Sequence, residues 1–255
     1  MVISIINNKG GVGKTTTAVS LAAALARDDR VLLIDLDSQA SASLSLGVPR
    51  DELVPSASDI LLEDKRIEDV IRATSVRDLD LLTGSITLID ADIMLREMDE
   101  RHERLERVLA PVREVYPYII IDVPPSIGML AINALVASDA YLVPVMAQYL
   151  ALEGLSNLFE AVEMIQNSIG RDLALFGVLV TLAQRRLRVT TEIVELLHET
   201  YGSLVFDTVI PQNVRLAEAP SFGQTIFQYD GGSAGAEAYY RLAHEVRDRC
   251  KDMMI

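Results

Sequence analysis

Asn7-Asn8-Lys9-Gly10-Gly11-Val12-Gly13-Lys14-Thr15-Thr16 is the stretch that decides the fold. It follows the β-branched run Val2–Ile6 and opens a helical pattern over Thr15–Ala26. A strand, a glycine-rich loop ending in Gly-Lys-Thr and a helix, in that order, form a phosphate cradle. Glycines let backbone N–H groups turn toward phosphate oxygens with no Cβ in the way. Lys14 reaches the outer phosphates, the Thr15 hydroxyl suits a magnesium ion, and the helix N-terminus adds partial positive charge. Asn8 replaces the first glycine of the usual pattern, and Lys9 adds a second cation.

Outward from this loop, short apolar runs alternate with longer helical patterns. Val2–Ile6, Val31–Ile34, Leu79–Leu82, Tyr118–Ile121, Tyr141–Val145, Phe176–Val180 and Val205–Ile210 read as strands. Several are apolar on both faces, as strands of a doubly covered parallel sheet are. Helical patterns run over Leu88–Leu109, Met129–Ala137, Leu152–Asn167, Thr190–Tyr201 and from Ala234 to Cys250, the last with Ser233 as its N-cap. The expectation is an α/β fold: a doubly wound, mostly parallel sheet flanked by helices. No linker divides residues 1–255, so one domain is expected. Half the residues are hydrophobic and only 5% aromatic, which makes the core aliphatic and excludes general disorder.

Three carboxylates fall at predicted strand ends. Asp35 and Asp37 stand two apart after Val31–Ile34, and Asp122 closes Tyr118–Ile121. The carboxyl edge of a parallel sheet, beside the phosphate loop, is where such side chains meet a metal ion and an attacking water. A single cysteine, Cys250, rules out a disulfide framework or cysteine metal cluster within the sequence and reads as a packing residue. His102, His198 and His244 have no metal spacing and read as surface residues.

With these motifs together, Lys-Gly-Gly-x-Gly-Lys-Thr-Thr at 9–16 resembles the deviant Walker A motif of the ParA/MinD ATPases, a class of P-loop NTPase. Val31–Gln39 resembles that family's second acidic motif, and Ile119–Ser126 its Walker B. Ala151–Leu155 and Val209–Ser221 resemble ParA more than MinD. The resemblance implies ATP and Mg²⁺ as cofactors, cradled by residues 9–16: Lys9, Gly10, Gly11, Val12, Gly13, Lys14, Thr15 and Thr16. It implies that Lys9 reaches the partner's ATP in a nucleotide-sandwich homodimer and that Asp37 orients the attacking water. Thr15 and Asp122, with Asp35, are implied magnesium ligands, and Pro211 and Asn213 lie where adenine is bound. Ser38, Gln148 and Gln184 depart from the family's usual residues, and none removes a phosphate or magnesium ligand.

The sequence carries 23 basic and 37 acidic residues, net −14, which argues against a surface coated in positive charge. Residues 51–107 hold 16 acids and 8 bases, −8 of that total. The charged pattern within Leu88–Leu109 reads as a solvated face with capacity to dock a partner. In contrast, 181–191 has Arg185, Arg186 and Arg188 and no acid, and Arg215 follows Pro211. By resemblance, Arg186 and Arg215 match arginines that contact DNA in ParA proteins.

The implied function is an ATP-dependent dimerising switch that binds double-stranded DNA without sequence preference. A ParB-like or cargo-adaptor protein with a basic segment would release it by stimulating hydrolysis. The chain starts at the phosphate-loop strand, so no operator-binding domain is expected before it, and no leader or membrane span is evident. A cytoplasmic, nucleoid-associated location follows. Two alternatives stay open: a MinD-like membrane-cycling regulator, for which the tail after Val246 lacks an apolar face with a basic rim, and a metabolic ATP-dependent ligase.

Overall fold

The computed structural model describes residues 1–255 apart from 64, 149, 150, 185, 254 and 255. Its strands are β1 (Val2–Ile5), β2 (Val31–Asp35), β3 (Arg72–Ala73), β4 (Leu79–Leu82), β5 (Tyr118–Asp122), β6 (Ala140–Met146) and β7 (Leu175–Thr181). They form one sheet in the order β3-β4-β2-β5-β1-β6-β7. Every pairing is parallel except β3 with β4. The helices are α1 (Lys14–Leu25), α2 (Ser41–Ser45), α3 (Ala57–Leu62), α4 (Leu88–Met94), α5 (Arg104–Leu109) and α6 (Met129–Ala137). They continue as α7 (Ala151–Ile169), α8 (Arg188–Tyr201), α9 (Val214–Glu218), α10 (Ile226–Asp230) and α11 (Ala234–Met253).

The doubly apolar strands have two separate cores to fill. Ile3, Ile5, Val31, Leu33 and Ile120 pack on the face covered by α1 and α11. Val2, Leu32, Ile34, Ile119 and Ile121 pack on the face covered by α3 to α8. Because side chains alternate along a strand, the parity that turns Leu33 and Ile120 toward α1 also turns Asp35 and Asp122 that way. These two residues are register partners on neighbouring strands. The sequence alternation therefore delivers both carboxylates to the phosphate-loop side of one sheet edge.

Two expected elements differ. Val205–Ile210 is not a strand: one isolated bridge, Val178 to Val205, ties its start to β7, and another, Ala183 to Pro211, joins the residues just beyond both. Pairing is intermittent, with Phe206 N–H donating to Val178 O and Ile210 N–H to Val180 O. Leu88–Leu109 is not one helix. After α4 and a 3₁₀ turn at Leu95–Glu97, Met98 becomes extended and Glu100 takes φ 52°, and helix resumes only at Arg104. The i,i+4 charge pattern continues across the break because it records solvent exposure, which loop and helix share here.

The last helix follows the expected pattern. Ser233 Oγ accepts the Ala236 N–H, and Tyr239, Leu242, Ala243, Val246 and Cys250 are buried. Tyr240, expected on the same stripe, is instead exposed, with Arg27 over its ring. His244 is exposed, while His102 and His198 are half-buried.

Candidate functional site

Glycines and hydrogen bonds within the protein fix the phosphate loop. Gly11 and Gly13 have φ of 75° and 84°, the left-handed region that only glycine enters without strain. Gly13 ends the loop as the N-cap position of α1, and Thr17 N–H donates to its carbonyl. Buried Asn7 anchors the loop's entry: its Nδ2 donates to Pro144 O at 2.8 Å, and its Oδ1 accepts the Lys9 N–H at 2.9 Å. From the other side Thr181 Oγ1 donates to Val12 O at 2.8 Å.

Lys14 is buried, its Nζ donating to Lys9 O at 3.1 Å across the loop. Burial lowers its pKa, and the nearby Asp122 and Asp37 charges act in the opposite direction. Lys9 is exposed. The two lysines of the motif are thus placed differently, one turned into its own loop and one left for solvent or another molecule. Thr15 and Thr16 are half-buried at the first turn of α1.

Asp35 and Asp122 are both fully buried yet treated differently. Asp35 Oδ2 accepts the Ser43 N–H at 2.8 Å and the Ser43 hydroxyl at 2.7 Å, and Oδ1 accepts the Asp37 N–H at 3.1 Å. Burial still pushes its pKa up, to about 6. Gly84 lies hard against it. A Cβ there would sit 2.6 Å from Asp37 O and 2.9 Å from Asp35 Oδ1, so only glycine permits this approach. Gly84 N–H also donates to Ser43 Oγ at 3.0 Å.

Asp122 has no such support. Neither of its oxygens accepts a well-formed hydrogen bond. Burial raises its pKa well above the usual carboxylate range and Asp35 raises it further, while the nearby Thr15 hydroxyl and Lys14 favour the charged form. Buried polar atoms without partners are rare because each costs free energy, so an orphaned carboxylate beside a phosphate loop could hold a cation. The donor set, one hydroxyl and one carboxylate, suits a magnesium ion that keeps several of its waters. Among the described residues no cluster of three His, Cys, Asp or Glu forms a cage of its own. Asp37 is half-buried above this pair, its Oδ1 accepting the Gln39 N–H at 2.9 Å.

Backbone hydrogen bonds link the segments that precede the two groups of arginines. Ala183 N–H donates to Ile210 O and Gln212 N–H to Ala183 O, both at 3.0 Å, which ties the 181–188 loop to Pro211. Arg186 and Arg188 are exposed, and Arg185 lies outside the described residues. Arg215, on α9, is exposed but engaged: Nη1 bonds Glu218 at 2.9 Å, and Nε lies 3.4 Å from Asp230. Asn213 Oδ1 caps α9 by accepting the Arg215 N–H at 2.8 Å, which leaves its amide nitrogen as a donor. Pro211 is half-buried beside it.

Sequence reasoning missed Ser43 and Gly84. A serine in a Ser/Ala-rich stretch and a glycine before a helix carry no motif, and only their meeting around Asp35 shows their role.

Residues 1–175 match the family model described as an AAA domain. The chain is 46% identical to the sporulation initiation inhibitor protein Soj of Bacillus subtilis, over 96% of this chain and 97% of that one. It is 40% identical to the chromosome partitioning protein ParA of Myxococcus xanthus, over 97% of this chain and 88% of that one. Among solved structures, cobyrinic acid a,c-diamide synthase from Mycobacterium smegmatis, with a bound ATP analog and magnesium, superposes with a TM-score of 0.84 at 32% identity. That match covers 98% of this chain and 95% of the synthase. With its phosphate loop, its acidic sheet edge and near full-length likeness to Soj and ParA, this chain belongs to the ParA family of P-loop partition ATPases.

Proposed function

We propose that the protein is an Mg-dependent ATPase that dimerises around two ATP molecules and binds double-stranded DNA without sequence preference in that state. Partner-stimulated hydrolysis then releases it, so that DNA or a large protein cargo is positioned on the nucleoid. The carrying observation is the buried, unpartnered Asp122 carboxylate beside Lys14 and Thr15.

Bound MgATP supplies the phosphoanhydride to be cleaved and a metal ion that neutralises its charge. Gly10 to Thr16 present the cradle, and Thr15 and Asp122 would hold the ion. Asp35 stands behind them and fixes Asp37 through the Asp37 N–H. Asp37, half-buried, has one oxygen on Gln39 N–H and presents the other for orienting a water. Exposed Lys9 is available to the partner's nucleotide. Asn213 and Pro211 flank an adenine position. Phosphoryl transfer asks for this positioning and charge neutralisation more than for a strong base.

DNA binding by so acidic a protein rests on charge placement. Exposed Arg186 and Arg188 follow β7, exposed Arg215 stands on α9 after the segment hydrogen-bonded to Ala183, and Arg185 belongs to the same acid-free stretch of sequence, all outside the acid-rich 51–107 segment. One copy offers few phosphate contacts; an ATP dimer doubles them and raises effective concentration. With about five phosphates engaged, log K falls against log salt with a slope of about −4.5. The test is filter retention of unrelated duplexes with and without ATP. Arg186→Glu and Arg215→Glu should lose DNA while keeping the ATP dimer; unchanged retention in both variants, or equal wild-type binding without ATP, sinks this reading.

The membrane alternative is disfavoured by α11. Tyr239, Leu242, Ala243, Val246 and Cys250 are already packed in the core, and Arg247 and Arg249 are engaged with Asp28, Asp29 and Glu245. Co-sedimentation with anionic liposomes in ATP tests that point. A small-molecule ligase would turn over without a protein activator, so basal ATPase with and without DNA and partner separates the third reading.

A further inference from the structure

α4 is amphipathic in an unusual sense: both of its faces are apolar. Leu88, Ala91 and Leu95 are fully buried against the core. Ile86 lies in the turn before the helix, and at about 100° per residue Ile89, Ile93 and Met94 fall on the opposite arc, with Asp90 among them. These side chains are 64%, 49%, 61% and 53% exposed. Scattered exposed apolar residues need no explanation, but two isoleucines and a methionine on one arc, with a third isoleucine in the turn that leads into it, form a patch.

The rim of this patch is acidic. Exposed Asp90, Glu97 and Asp99 make no ion pair among the described residues. The nearby cations are already engaged: Arg96 with Asp92 at 3.5 Å, Arg107 with Glu100, and Arg101 with the Arg96 carbonyl at 3.0 Å. A second copy docked about a twofold axis would set acid against acid, and anionic lipid headgroups would be repelled. The occupant that fits both the apolar arc and the acids is a helix with apolar residues at three- and four-residue spacing and lysines or arginines beside them.

The flank of α4 is joined to the nucleotide site. Asp92 Oδ1 accepts the Leu130 N–H at 3.0 Å, capping the first turn of α6. Gly128, the N-cap position of α6, lies so close that a Cβ would be 2.5 Å from the same oxygen. Between Gly128 and Asp122 are only the five residues 123–127. Asp92 thus joins α4 to the end of the loop that follows the orphaned carboxylate.

We propose that the outward face of α4 docks a basic amphipathic helix of a partner protein, and that Asp92 transmits this docking to the loop following Asp122. The second half rests on the ATPase reading above. The probe is a short fluorescein-labelled synthetic peptide with leucines at helical spacing and lysines between them. Its binding is followed by anisotropy without nucleotide, so a failure of ATP binding leaves this measurement intact. The wild type should bind the leucine–lysine peptide and ignore a leucine–glutamate one. Ile89→Ser with Ile93→Ser should weaken binding roughly tenfold or more, with unchanged melting temperature and ATP affinity, because the lost contact is apolar. Asp92→Ala should bind the peptide as the wild type does but lose the change in ATPase rate that the peptide causes. The proposal is overturned if wild type fails to bind, or if the double serine variant binds equally well. It is also overturned if that variant instead loses self-association or binding to phosphatidylglycerol vesicles. A peptide that binds without altering wild-type ATPase, while ATP turnover itself is intact, removes the role of Asp92 alone.

Discussion

Ser43→Ala removes one oxygen and two interactions. The hydroxyl donates to Asp35 Oδ2 at 2.7 Å and accepts the Gly84 N–H at 3.0 Å, and the residue is fully buried. A hydrogen bond to a charged group contributes about 1.5–3 kcal/mol, and a buried N–H left without a partner costs about 1–3 kcal/mol. The expected loss is therefore about 2.5–6 kcal/mol, or on the order of 10 °C in melting temperature for a chain of this size. It should depend on pH. Burial already pushes the Asp35 pKa up to about 6, and losing a hydrogen bond to the carboxylate raises it further. A folded-state pKa above the unfolded one means stability declines as pH climbs between the two values. The deficit relative to wild type should thus be larger at about pH 7.5 than at about pH 5. Circular dichroism melts of nucleotide-free protein read this directly, and Ser43→Thr, which keeps the hydroxyl, should recover most of it. In the same variant Asp37 loses a fixed support, so ATP turnover should fall with ATP affinity largely kept. A melting temperature within about 2 °C of wild type at pH 7.5 would refute the bonding scheme around Asp35.

Lys14→Ala should lower monomer ATP affinity at least tenfold, about 1.5–3 kcal/mol for a charge-assisted contact, while Lys9→Ala should spare monomer affinity and lose the ATP-dependent dimer; calorimetry and ultracentrifugation separate the two, and equal affinity losses contradict the division of roles. Asp37→Ala should still bind MgATP but hydrolyse it roughly a hundredfold slower and accumulate as a dimer, so a monomer in excess ATP counts against it. Asp122 keeps its proton to higher pH when folded than when unfolded, where the ordinary value is 3.8. Apo-protein stability should consequently fall as pH rises above that value and level off once the folded carboxyl has ionised. Asp122→Asn should flatten this decline, and an unaltered pH–stability curve in that variant assigns the slope elsewhere.

Much of the fold is written in local pattern. Doubly apolar runs such as Val31–Ile34 and Ile119–Ile121 could only be central parallel strands, and they are. The failures share one cause: tertiary context overrides local propensity. Val205–Ile210 is as β-branched as a strand, but it lies outside β7 and meets it only at Val205 and again near Ile210. The break after Glu97 arises where Asn133 of α6 reaches in, its Oδ1 accepting the Leu105 N–H and its Nδ2 donating to Arg101 O. No i,i+4 pattern encodes that intrusion. The short α2, α9 and α10 were unreadable for a related reason: five residues are too few for a helical period, and their stability comes from packing rather than propensity.

The acidic site was legible as a set and not as a division of labour. Spacing and strand parity bring Asp35, Asp37 and Asp122 to one edge, but three carboxylates in a row do not say which is saturated. The answer depends on residues that carry no motif. Ser43 and the Asp37 backbone give Asp35 three hydrogen bonds, and Gly84 closes over it. Asp122, its register partner, receives none. Two adjacent buried carboxylates repel, so without a cation one of them retains a proton well above the ordinary range. The pattern of hydrogen bonds decides which: the supported one is held near 6 and the unsupported one is raised well above its usual value. A cation held at Asp122 would meet an acid whose charged form no well-formed hydrogen bond among the described residues stabilises, so binding it would be coupled to ionising Asp122. Ion affinity should accordingly rise with pH until Asp122 is ionised in the free protein, a dependence that Asp35, already satisfied by Ser43, has less scope to produce.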